Sequence, residues 1–208
     1  MIRHGQTEYN LLGIVQGSRV NTSLNDKGIR QSQAFYNFYK DVKFDRIYTS
    51  ILNRSIETVQ PFIDLGITWE SYEGLNEISW GDKDGMKVTV SENKYYHEVI
   101  KRWAQGEVDL RIDGGDSPLD VAKRQQPIIE LIKSRDEDEN ILICMHGRAI
   151  RIILCLLTNS DLRLMDEFVH ENLCLYMLEY NEAEGFKLLK RNNIEHLLAV
   201  GEELRSEK

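Results

Sequence analysis

The chain is predicted to be an α/β protein, a mixed, mostly parallel sheet flanked by helices, on three observations. Short apolar runs rich in β-branched residues alternate with longer segments of helical period. The last two strand-like runs are joined by a short polar connection, which favours an antiparallel pair at one side of the sheet. The 208 residues carry no repeat, low-complexity tract or linker, so one domain over 1–208 is expected, large enough to bury a core without disulfide or metal staples.

In chain order the helical period first holds over 26–39. Arg46-Ile-Tyr-Thr49 reads as a strand, and the helical period returns over 53–65. Residues 68–72 form the next strand. Residues 81–115, with glycines, mixed charge and scattered aromatics, read as an excursion from the sheet in which substrate choice would lie, with one helix at 91–105. The helix at 118–134 has the clearest start: Ser117 at the cap, Pro118 at the first helical position and Asp120 three residues after the serine. Pro127 inside it should bend the helix or force a local break. Asn140-Ile-Leu-Ile-Cys-Met145 is an apolar strand and 148–157 a helix. Strands at 174–180 and 186–191 close the chain as a hairpin around 181–185.

Composition excludes several classes of partner. The formal net charge is -8 with no Lys/Arg block, so nucleic acid is not expected and any anion site has to be a local basic pocket in a negative exterior. No stretch approaches a membrane span and nothing at the start resembles a signal peptide. Cys144, Cys155 and Cys174 are odd in number, and the first two lie in apolar runs where thiols act as small hydrophobes. A reducing compartment and a cytoplasmic protein follow as expectations. Oligomeric state is not readable.

The reactive residues are concentrated at strand ends. Arg3-His4-Gly5 sets a permanent cation, an imidazole and a glycine side by side, the set a histidine needs to attack phosphorus. By itself the tripeptide is short enough to arise by chance, so its partners decide. Arg54 follows the strand that ends near Ser50, and His146 follows the run ending at Met145. Open α/β sheets bind ligands beyond the carboxyl ends of their strands, and helix starts there favour a phosphate. Arg54 in a first helical turn is unfavourable unless an anion compensates it, so Arg3 and Arg54 would grip one phosphoryl group together. His146 is either a hydrogen-bonded structural residue or a donor to the phosphoryl oxygens. Glu77, between apolar neighbours Ile78 and Trp80, is the candidate acid, its pKa expected to be raised by a dry setting. His4, beside Arg3 and Arg54, should resist protonation.

With Arg3-His4-Gly5, Arg54, Glu77 and His146-Gly147 in this order, the chain resembles the histidine phosphatase superfamily, also called phosphoglycerate mutase-like. The Arg-His-Gly-x-Thr-x-x-Asn opening, Gly17 followed by Asn21-Thr-Ser-Leu-Asn-Asp-Lys-Gly28, and Gly114-Gly115-Asp116-Ser117 carry the likeness. The resemblance implies a three-layer sandwich with helices on both faces and a histidine acid-type phosphatase working through phosphohistidine: His4 takes the phosphoryl group, Arg3, Arg54 and His146 hold it, and Glu77 protonates the departing oxygen. It also implies Asn10, and less directly Gln16, at the phosphate pocket. No metal or other cofactor is implied, and the histidine spacings match no zinc site.

Three positions depart from the family's pattern. Only Met1 and Ile2 precede Arg3, and at roughly 3.3 Å per residue two residues cannot span a sheet, so a truncated or mis-assigned start is expected. Arg148 stands where a small residue is usual, and either contacts a second acidic group on the substrate or points to solvent. Met145 replaces a small polar residue. The short Gly81-Asp-Lys-Asp-Gly85 stretch favours a phosphatase on a small phosphorylated metabolite over a mutase. Lys83, Lys87, Arg102 and Arg111 with Trp80, Tyr95, Tyr96 and Trp103 would form a lid, unless the aromatics are the core face of a helix. A catalytically weak phosphate-binding protein is the competing class, and Glu77 argues against it because a pure binder needs no acid.

Overall fold

The computed structural model describes residues 1–87 and 89–205, so residue 88 and residues 206–208 of the expected span lie outside the described residues. Strands β1 (Ile2–Arg3), β2 (Arg46–Thr49), β3 (Thr68–Ser71), β4 (Ile141–Met145), β5 (Leu175–Asn181) and β6 (Gly185–Asn193) form one sheet in the order β3-β2-β4-β1-β5-β6. Neighbours from β3 to β1 pair in parallel, whereas β5 is antiparallel to both β1 and β6. The mixed sheet with a hairpin at one side is therefore as the sequence predicts.

Side-chain alternation divides the molecule into three layers. Along β4, Leu142 and Cys144 enter one apolar cluster while Ile143 and Met145 enter the other, the period of two that a strand buried on both faces requires. Helices α2 (Asp26–Tyr39) and α3 (Asn53–Ile63) cover the first face through Phe35, Val59 and Phe62. Helices α4 (Val90–Ala104), α5 (Pro118–Lys133) and α6 (Gly147–Leu157) cover the second through Val99, Trp103, Val121, Ile128, Ile150 and Ile153. The start of α5 is a capping box: Ser117 Oγ accepts from Asp120 N at 3.1 Å, and the Asp120 carboxylate accepts from Ser117 N at 2.9 Å.

Four features correct or extend the prediction. Helix α5 is not broken at Pro127, which lies on its exposed side. Strand β1, only two residues long, lies between β4 and β5, and its ladder is lengthened by main-chain bonds such as His4 N to Met145 O at 2.9 Å and Tyr176 N to Met1 O at 2.8 Å. A short helix α1 (Glu8–Leu12), capped by Thr7, and α7 (Glu195–Leu198), which follows β6, add to the predicted elements. The lid is not formed as expected: Tyr96 and Trp103 are core residues, Arg102 pairs with Glu107 and Arg111 with Asp120, and only Trp80 of that set lines the cavity described next.

Candidate active site

Parallel pairing brings the carboxyl ends of β2, β4 and β1 to one edge, and each leads into one of the candidate site residues. His4 leaves β1 into a loop whose main chain is tied to both helices of one layer: Gly5 N donates to Thr58 Oγ1 on α3 at 2.9 Å, and Gln6 N to Gln31 Oε1 on α2 at 2.9 Å. Asn172 Nδ2, before β5, donates to the His4 carbonyl at 3.0 Å. β2 leads to Ser50 and then α3, which carries Arg54; β4 leads to His146, the residue before α6. Glu77 reaches the start of α6 from another segment. Its Oε2 accepts from Arg148 N at 3.0 Å, and its Oε1 from Ala149 N and Ile78 N, both at 2.9 Å, satisfying helix-start donors that have no partner within the helix. Arg124 holds that segment by donating to the carbonyls of Asn76 and Glu77, each at 2.8 Å.

These elements enclose a cavity of about 270 Å³ lined by Arg3, His4, Asn10, Gln16, Glu77, Gly147 and Arg148, with Ile14, Val15, Trp80 and His170. His4 is buried, and its Nδ1 lies 2.7 Å from the Gly5 carbonyl. A carbonyl only accepts, so Nδ1 carries the proton and Nε2 keeps its lone pair. Burial is the main reason His4 titrates well below an ordinary imidazole, followed by the charges of Arg54 and Arg3, so the resistance to protonation has a larger cause than the sequence suggests. The His146 ring centroid is 5.1 Å from that of His4. Arg54 Nε donates to His146 Nδ1 at 3.2 Å, which leaves the ring proton on Nε2, 2.7 Å from Ser50 Oγ. His146 is likewise shifted well down, by burial first and then by Arg54, His4 and Arg3. Two buried donors on cavity-lining side chains, Arg3 Nε and Gln16 Nε2, have no protein partner. Buried donors are normally paired, so both suit a ligand rich in acceptor oxygens.

All nine residues singled out in the sequence lie in or beside this cavity. Arg54 and His146 stand behind His4 rather than on the wall, fully buried, with Arg54 also donating to the carbonyls of Val20 at 2.6 Å and Gly17 at 3.4 Å. Arg148 does not point to solvent: it is buried, pairs with Asp166 at 2.7 Å, and lies over the Trp103 and Trp80 rings. Sequence reading missed Ser50, Arg124, Asp166, His170 and Asn172. His170 was within reach as a histidine near an Asn in a polar loop before a strand, but nothing in its own neighbourhood points to His4. Among the described residues no cluster of three or more His, Cys, Asp or Glu side chains is placed to hold a metal ion.

A sequence profile of the histidine phosphatase superfamily, branch 1, matches residues 1–194. A Hydrogenobacter thermophilus protein named "Putative phosphoserine phosphatase 2" is 32% identical over 163 residues, covering 78% of this chain and 79% of that protein. The 2,3-bisphosphoglycerate-dependent phosphoglycerate mutase of Azorhizobium caulinodans is 28% identical over 165 residues, 76% of this chain and 79% of the mutase. Among solved structures, the Entamoeba histolytica phosphoserine phosphatase in complex with 3-phosphoglyceric acid superposes with a TM-score of 0.78 at 27% identity, covering 94% of this chain and 96% of that one.

Proposed function

Because the chain belongs to the histidine phosphatase superfamily, we propose that it is a metal-independent phosphomonoesterase of small phosphorylated metabolites, acting through a phosphohistidine at His4. The observation that carries this reading is the His4 tautomer: Nδ1–H is spent on the Gly5 carbonyl, so the lone pair on Nε2 is the ring's nucleophile, on a residue that lines a cavity with Arg3 and Glu77. In the first step Nε2 bonds to phosphorus, the ester P–O bond breaks, and Glu77 gives its proton to the departing alkoxide. In the second, Glu77 takes a proton from water as the water oxygen bonds to phosphorus and the P–N bond returns its pair to His4. Arg3 supplies charge-assisted donors to the phosphoryl oxygens. Arg54, which keeps two of its five N–H donors beyond those used on His146, Val20 and Gly17, supports the same charge from behind His4. Asn10, Gln16 and Gly147 complete the phosphoryl pocket.

The placement of Glu77 on the cavity wall supports an enzyme over a phosphate-binding protein, since a pure binder has no need of a proton donor there. Buried thiols at Cys144, Cys155 and Cys174 fit a reducing compartment such as the cytoplasm, and no helix of the described residues is long and apolar enough to cross a membrane. The test is release of phosphate from an aryl phosphate in excess chelator. The protein is expected to turn over, and His4→Ala to lose on the order of a thousandfold or more in kcat. Abolition by chelator, or an active His4→Ala, overturns the reading; release of phosphate with water as sole acceptor separates a phosphatase from a mutase.

A further inference from the structure

The cavity wall holds a second imidazole beside His4, to which the proposed reaction gives no task. His170, in the loop before β5, lines the cavity beside Arg3, Gly147 and Arg148. Arg3 Nη1 lies 3.1 Å from its Nδ1. A guanidinium only donates, so Nδ1 accepts and the proton of the neutral ring sits on Nε2. Burial first, then the charges of Arg3, Arg151 and Arg148, push its pKa down to about 2, so the ring stays neutral. A Cβ on Gly147 would come within 2.7 Å of the ring Cε1 and 2.8 Å of Nε2, so that edge of the ring lies against the first residue of α6. The loop itself is held on both flanks: the Tyr176 hydroxyl donates to the Val169 carbonyl, and Arg205 Nε donates to Glu171 Oε2 at 3.0 Å. No other side chain of the described residues hydrogen-bonds the ring.

Arg148 adds charge to the same wall. Its Nη1 pairs with Asp166, and Arg151 pairs with that same carboxylate. Two guanidinium groups facing one carboxylate leave a positive charge over beside the buried Arg148, where an uncompensated charge is costly. A second anionic group on the substrate would balance it.

Resting on the phosphomonoesterase reading, we propose that His170 and Arg148 form the subsite for the non-phosphoryl half of the substrate and that this half carries a carboxylate near the ester. The His170 Nε2–H donates to one carboxylate oxygen and the Arg148 guanidinium faces the other. The experiment compares kcat/KM for 3-phosphoglycerate and glycerol 3-phosphate, which share a skeleton and differ in the carboxylate, with an aryl phosphate as reference. The protein is expected to prefer the carboxylate by about tenfold or more, and His170→Ala and Arg148→Met each to lower that preference by about 10- to 100-fold, chiefly through KM. His170→Asn, which keeps a neutral N–H donor, should recover part of it. No preference in the unaltered protein, or a preference within about twofold of it in Arg148→Met and whichever His170 variant folds, overturns the subsite. Aryl phosphate hydrolysis that depends on His4 but shows no carboxylate preference rejects the subsite alone, whereas absence of any hydrolysis rejects the underlying reading.

Discussion

At the scale of single residues the site depends on which nitrogen of each buried imidazole holds the proton, and each choice is made by its hydrogen-bonding neighbours. The Gly5 carbonyl sets His4, and the pair Arg54 and Ser50 sets His146. Ser50 Oγ also lies 2.7 Å from Ser55 Oγ and accepts from Leu52 N, so it joins β2, α3 and His146 through one atom. Ser50→Ala removes the acceptor of the His146 Nε2–H and leaves that buried donor unpaired, because Arg54 still requires Nδ1 as an acceptor. Stability is expected to fall by about 1–3 kcal/mol, the cost of a buried donor left unpaired, and kcat by roughly 10- to 100-fold. Urea unfolding and phosphate release from an aryl phosphate check the two numbers; a stability loss with unaltered kcat would show that Ser50 only packs. The reactive positions Arg3, His4 and Glu77 were legible in the sequence because the chemistry restricts the residue types. Ser50, His170 and Asn172 were not, since each reaches its partner across at least two elements and each has an ordinary local setting.

Elements place these residues through close main-chain approaches that small residues permit. Gly28, in the first turn of α2, has the Gln6 main chain directly against it: a Cβ there would lie 2.9 Å from Gln6 N and closer still to its carbonyl oxygen. Ala favours a helix over Gly by about 1 kcal/mol, but the obstruction is backbone and cannot rotate away, so Gly28→Ala is expected to destabilise by about 1–3 kcal/mol and to lower kcat by displacing the loop that carries His4. A thermal melt and an aryl phosphate assay check both, and a stabilised variant would contradict the packing. Gly147 at the start of α6 is obstructed by a side chain instead, the His170 ring. Gly147→Ala should therefore cost about 1–3 kcal/mol alone and almost nothing in a His170→Ala background, a coupling that a double-mutant cycle measures. Additive losses would mean the two residues do not touch. The helices α2, α3, α5 and α6 were legible because their apolar period is long, and the start of α5 is marked as well, by Ser117 and Asp120. The short α1 was not, because five residues show no period and its cap pairs Thr7 with Asn10 rather than with a glutamate or glutamine. Tyr96 and Trp103 were legible only as alternatives, since an amphipathic helix with basic residues on its wet side fits a lid and a core equally well until tertiary contacts decide.

For the molecule as a whole, four of the five histidines resist protonation: His4, His146 and His196 are buried and His170 is half-buried. His4 and His146 titrate well below 6.5, His170 near 2 and His196 near 4, with burial the leading cause in every case. In the unfolded chain the same imidazoles take a proton as the pH falls through about 6.5. Below that value the unfolded state binds more protons than the folded one, so stability rises with pH there and is lost as the pH falls. Each fully resistant imidazole contributes about 1.4 kcal/mol of loss between pH 7.5 and 5.5, and the four together about 5 kcal/mol, a large share of the roughly 5–15 kcal/mol that holds a domain together. The window opens near 6.5 and extends down to the folded-state values, with His196 the first to leave it near 4. Urea unfolding at pH 7.5 and 5.5 should therefore show a steep drop in the midpoint at constant slope. A bound phosphate, by supplying negative charge to the cavity of Arg3 and His4, raises the folded-state affinity of these rings for protons and should flatten that drop. A pH-independent midpoint would mean that the folded-state imidazoles, the nucleophile among them, take up protons as readily as those of the unfolded chain.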